Sequence, residues 1–113
     1  MRWFTHTLIV LSFALAQSAH AQGGDTKSGL EYAEAVCAEC HAVKKGERVS
    51  PHERAPAFEL VANSRGMTDM ALRVWFQSPH PSMPNLVLRE KTADDLVAYI
   101  MSLRQTSRPG GGL

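Results

Sequence analysis

Hydrophobic positions along this chain recur at helical spacing, and no stretch alternates in the manner of a β-strand. Ser28-Gly29-Leu30-Glu31 reads as a capping box, with Ser28 as N-cap and Glu31 three residues on. The first helix is then expected to run through Leu30, Ala33 and Cys37, after a polar, Gly-rich lead-in over 22–27 that should fray. Residues 42–55 are rich in charge, with Gly46 and Pro51, and read as a surface loop. Pro56 suits the first turn of a short helix over 57–62, closed by residues 63–66. Thr68 can cap the next helix, where Leu72, Trp75 and Phe76 fall at i, i+3 and i+4. Pro79 and Pro81 should end it and open an extended loop over 78–90. Thr92 is placed to cap the last helix, with Asp94 and Asp95 in its first turn, Leu96, Tyr99, Ile100 and Leu103 on its apolar face and Arg104 near its end. With no strand pattern and no internal repeat, the fold class is all-α: one small helical domain with long loops.

The first residues do not belong to that domain. Met1-Arg2 supplies a positive start, LIVLSFALA over 8–16 is apolar but short, and Ala19-His20-Ala21 offers the small residues a signal peptidase reads. This is the pattern of a secretory signal peptide over 1–21, cleaved before Gln22. A membrane anchor needs about 20 consecutive apolar residues, so none is expected in the mature protein. The mature chain, 22–113, is read as one domain with its core at 28–105 and a loose tail over 106–113, and its location as the periplasm. The chain holds 12 Lys+Arg against 11 Asp+Glu, and loss of Arg2 with the leader makes them equal. Nucleic-acid binding normally needs a basic excess, so no such partner is expected.

Chemistry concentrates at Cys37-Ala38-Glu39-Cys40-His41. Two thiols two residues apart, with an imidazole directly after the second, let one helical turn present two sulfurs and a nitrogen to one planar ligand. Each sulfur can form a thioether to a haem vinyl group, and His41 can reach the iron. Other uses of the pair fit less well. A disulfide between Cys37 and Cys40 would close too small a loop to staple a fold. A thioredoxin-like CxxC would come with strands in a βαβ arrangement. A zinc site drawn from Cys37, Cys40, His52 and His80 lacks the compact second pair that zinc modules show.

A CxxCH motif after an export signal, with a helical chain, a Met83-Pro84 loop and a C-terminal amphipathic helix beyond it, resembles the class I c-type cytochromes over about 28–105. The resemblance implies a cytochrome c-like fold: three main helices plus a short helix and long loops wrapped around one covalently attached haem c. Gly29 and Ala33 match the small residues at which the family's first and last helices cross, with Tyr99 on the facing helix and Tyr32 one place from the family's N-terminal aromatic. It implies His41 as proximal ligand, its ring N–H held by the carbonyl of Pro56. Ala55 stands where the family usually has glycine, a change that strains the backbone if that position requires positive φ. Phe58, Trp75 and Phe76 are candidate haem-pocket residues, and Trp75 could offer its indole N–H to a propionate.

Candidates for the sixth iron ligand are Met67, Met70, Met83, Met101, His52 and His80. The resemblance points to Met83, flanked by Pro81 and Pro84 just before the last helix, with Asn85 close by. Met70 and Met101 read as core filler, and Lys44, Lys45, Arg48 and Arg54 as a solvated loop rather than a docking rim. With both axial positions filled, the implied function is single-electron transfer between redox proteins that dock transiently at the haem edge, by a non-enzymatic protein expected to act as a monomer. A haem-based sensor or gas-binding module, or a dedicated cytochrome subunit of a periplasmic oxidoreductase, would use the same residues.

Overall fold

Asp25 starts the first helix, three residues before the expected cap. In the computed structural model, which describes residues 23–79, 83 and 86–106, Asp25 is extended (φ −88°, ψ 118°) and precedes α1 (Thr26–Tyr32). Its Oδ2 accepts from the Ser28 amide at 2.9 Å and from the Ser28 hydroxyl at 2.6 Å. Ser28 thus commits its hydroxyl to the N-cap residue, and Glu31 pairs with Lys27 at 2.9 Å, so the Ser28–Glu31 box does not form. Asp at the N-cap satisfies an orphan amide and places a negative charge at the positive end of the helix. The lead-in is also tied down, because the Asp25 amide donates to Asp95 Oδ1 at 2.7 Å.

Immediately after α1 the chain widens into a π-helical turn, Ala33–Cys37, in which the Ala38 amide reaches back five residues to Ala33 O at 2.9 Å. Such a turn carries an extra residue, so it re-aims the attachment motif relative to a regular helix. Cys37 ends it.

The last helix, α4 (Glu90–Ser102), starts two residues before the expected Thr92 cap, with Arg89 as N-cap and no side chain bonding its first amides. Ala93 N–H to Arg89 O at 2.9 Å closes the first turn, and Glu90 supplies its acid. Asp94 and Asp95 lie a turn further in and act laterally. Asp94 pairs with Arg73, and the buried Asp95 takes the Asp25 amide and Lys91 Nζ, the latter at 2.8 Å. The expected apolar face is buried: Leu96, Tyr99, Ile100 and Leu103, joined by Val97. Helix α4 packs chiefly on α1. A Cβ on Gly29 would lie 2.1 Å from Asp95 O, and Ala33 is fully buried, so the two backbones approach where side chains are smallest.

Two shorter helices complete the frame. Helix α2 (Phe58–Ala62) buries Phe58 and Ala62. Its end is bound to the end of α4: Asn63 Nδ2 donates to Leu103 O at 3.3 Å, and Arg104 donates to Ala62 O at 3.3 Å and to Met67 O. Helix α3 (Asp69–Gln77) is capped by Thr68 as expected, Oγ1 accepting from the Ala71 amide at 3.1 Å. Leu72 is buried, Phe76 is half-buried against the core, and Trp75 is 54% exposed. The α3 face therefore runs through Leu72 and Phe76, with Trp75 turned to the edge. Met67 and Met101 pack against the core, whereas Met70 is 70% exposed and fills nothing. The described residues form helices and loops with no β-strand element, and none of their helices is long and apolar enough to cross a membrane.

Candidate haem-attachment site

The π turn delivers Cys37 into a tight reversal. The Cys37 carbonyl accepts from both the Cys40 amide (3.2 Å) and the His41 amide (2.9 Å), so one turn carries all three side chains. Both cysteines are free thiols, Cys37 buried and Cys40 half-buried. Burial pushes the Cys37 thiol up to about 11, because the thiolate would lose its hydration. Cys37 is accordingly kept as a thiol at neutral pH and is a poor partner for a stray disulfide.

His41 is oriented by its neighbours across the loop. Its Nδ1 lies 2.7 Å from the carbonyl oxygen of Pro56. A carbonyl only accepts, so Nδ1 carries the proton and Nε2 keeps its lone pair for a metal. The Phe58 ring lies 5.3 Å from the imidazole centroid, tilted by 50°. Among the described residues only Gly46 and Gly66 have positive φ, so Ala55 sits before Pro56 without backbone strain.

Backbone bonds fix the segment after the motif: His52 N–H to Cys40 O at 3.1 Å, Phe58 N–H to Ala42 O at 2.9 Å, and Ala42 N–H to Ser50 Oγ at 2.9 Å. The Tyr99 hydroxyl, from α4, donates to Val43 O at 2.6 Å. Spacing marks Tyr99 as a packing residue only and gives no sign of Ser50. Tyr99 acts on a carbonyl 56 positions away and Ser50 on an amide eight residues back in an irregular loop, and helical period carries no signal for either. Of the loop cations, Lys44 is paired with Glu34 at 3.1 Å, both exposed. Glu59 is held below its usual range, first by the Gly46 amide and then by Gln105, with Arg48 and Lys45 adding to it. His52 is exposed, and its Nδ1 accepts from the Arg54 amide at 3.3 Å.

Met83 is half-buried and lines a cleft of about 630 Å³ with Arg73, Trp75, Phe76 and Leu88. His41 lines a different cleft, of about 560 Å³, with Ala38, Val43 and Glu47. The fold thus joins Pro56 and Phe58 to the His41 ring, while Trp75 lines the Met83 cleft, which is separate from the one His41 lines. His80, Pro81, Pro84 and Asn85, the leader over 1–21 and most of the expected tail lie outside the described residues.

The donor set suits a haem attached through sulfur: two unpaired thiols and an imidazole with a committed Nδ1, on one reversal at a helix end. An all-helical chain carrying CxxCH in this setting defines a small c-type cytochrome. The chain is 35% identical over 96 residues to cytochrome c-552 of Bradyrhizobium diazoefficiens, a match that spans 85% of this chain and 90% of that protein. It belongs to the small monohaem c-type cytochromes, with their all-α fold, and electron transfer through a c-type haem is the activity of that family. No family profile matches the chain, and no solved structure matches it.

Proposed function

We propose that this chain is exported, loses residues 1–21, and works as a periplasmic shuttle that carries single electrons between a donor and an acceptor protein. The haem, when bound, supplies a one-electron Fe(III)/Fe(II) couple. Cys37 and Cys40 would hold it by thioethers, and His41 Nε2 and Met83 would supply the nitrogen and sulfur donors to its iron. Pro56 fixes the imidazole by accepting from Nδ1–H, which also raises its basicity. Phe58 packs beside the imidazole, and Trp75 lines the same cleft as Met83. A histidine–methionine pair favours the ferrous state, so a relatively high potential is expected. Partners dock briefly at the haem edge, with an interface at or below about 1,200 Å².

The observation that carries this reading is the 2.7 Å contact between His41 Nδ1 and Pro56 O beside two free thiols. It supports this reading because it commits Nδ1 and leaves Nε2 as the ring's donor beside Cys37 and Cys40. The test is expression of the full chain in a host whose periplasmic cytochrome-maturation machinery is active. The expected product begins at Gln22, keeps its pigment through denaturation, and shows a low-spin spectrum with a methionine-to-iron charge-transfer band when oxidised. A colourless product, or haem extracted by acid solvent, overturns the attachment.

A further inference from the structure

The three residues from His41 to Val43 are gripped at successive points. His41 Nδ1 bonds to Pro56 O, Ala42 O to the Phe58 amide, and Val43 O to the Tyr99 hydroxyl. The His41 amide is held by Cys37 O, and the Ala42 amide donates to the Ser50 hydroxyl at 2.9 Å. Ser50 is half-buried in a loop whose neighbours Val49 and Pro51–Arg54 are exposed. Its side chain turns inward where the residues around it face solvent. The peptide between His41 and Ala42 sets where the imidazole stem leaves the backbone. Hence whatever fixes the Ala42 amide also fixes the angle at which Nδ1–H meets Pro56 O, and a hydrogen bond weakens as that angle departs from linear.

We infer that Ser50 is a positioning residue for His41, holding the Ala42 amide so that the imidazole keeps its bond to Pro56 and its aim at the iron. This rests on His41 being the proximal ligand. Loss of the hydroxyl leaves the amide without its acceptor and loosens the His41–Pro56 bond. The imidazole then becomes a weaker donor and disfavours the ferric state.

The test compares the wild-type haem-loaded protein with Ser50→Ala and Ser50→Thr. Three quantities are read: the reduction equilibrium against a reference couple, the paramagnetically shifted His41 ring signals in ferric-state NMR, and exchange of the Ala42 amide. Ser50→Ala is expected to shift the equilibrium about threefold toward the reduced form, a fraction of one hydrogen bond's worth. It should also move the His41 ring signals and speed Ala42 exchange about tenfold or more. Ser50→Thr, which keeps the hydroxyl, should restore all three. If Ser50→Ala does not accumulate as holoprotein, Ser50→Cys, whose thiol is a poor acceptor, is read in the same way. Unchanged His41 signals and equilibrium, with faster Ala42 exchange alone, would make Ser50 a loop anchor and overturn the inference. Absence of shifted His41 signals in the wild type would instead overturn the ligation itself.

Discussion

The backbone N–H of Asp25 donates to Oδ1 of Asp95 at 2.7 Å, tying the cap of α1 to the second turn of α4 across 70 positions. Asp25 uses its own carboxylate to cap α1, while its amide is held by the buried carboxylate of Asp95. The helix that ends in the attachment motif is therefore anchored at its far end by the C-terminal helix.

This relay predicts acid sensitivity. Asp95 is held below the usual carboxylate range by Lys91 first and then by the Asp25 amide, and Asp25 is held low chiefly by Ser28. A carboxyl whose folded pKa is depressed contributes stability above its unfolded pKa, near 3.8 here, and loses it as pH falls through the lower folded value. The melting temperature of the holoprotein should fall as pH drops below about 4. Asp95→Asn should lower the melting temperature at neutral pH and flatten that acid limb. An acid limb of unchanged slope in the variant would rule Asp95 out as its source.

The helix crossing predicts a graded glycine series. A Cβ on Gly29 would meet Asp95 O at 2.1 Å and one on Gly24 would meet Asp94 O at 2.0 Å, while Gly23 has nothing within 4 Å. Both collisions are with backbone, which cannot swing aside. Gly29→Ala and Gly24→Ala should each cost about 1–3 kcal/mol. Gly23→Ala should stay within about 0.5 kcal/mol. Denaturant midpoints of the three variants decide it, and equal midpoints would refute the close approach.

Tyr99→Phe removes one hydroxyl and leaves the buried carbonyl of Val43 without its 2.6 Å donor. The cost of stranding such a group is about 1–3 kcal/mol. The expected outcome is lowered stability with haem retained, read from the denaturant midpoint and the pigment of the purified variant. Stability equal to the wild type would show that Val43 O finds another partner.

Met83→Ala should leave the haem attached while opening one axial position. Imidazole or carbon monoxide titration should then give a saturable spectral change that the wild type lacks. If the variant kept an unchanged six-coordinate spectrum, Met67, packed against the core, or His80 would be the ligand to examine next.

Helix positions are legible because burial obeys period: spacing alone picks out Leu96, Tyr99, Ile100 and Leu103, and all are buried. Starts are less legible. Ser28 and Thr92 are good caps in isolation, yet Asp25 and Arg89 hold those places. A cap is settled by which backbone turns extended, and contacts such as Asp25 to Asp95 contribute to that. Trp75 shows the same limit: spacing puts it with Leu72 and Phe76, but a helix face has a margin, and Trp75 stands on it.

Local order was enough for the attachment chemistry, since Cys37, Cys40 and His41 share one turn and their spacing survives any packing of the rest. The helical class came from the same kind of order, because periodicity is a property of neighbours in the chain. What folding had to settle was the set of long-range bonds that aim the imidazole and seat the first helix. Pro56, Tyr99 and Asp95 lie 15, 56 and 70 positions from the atoms they bind. Such pairings arise where the core brings surfaces together, through contacts that residue types and intervals do not encode one by one.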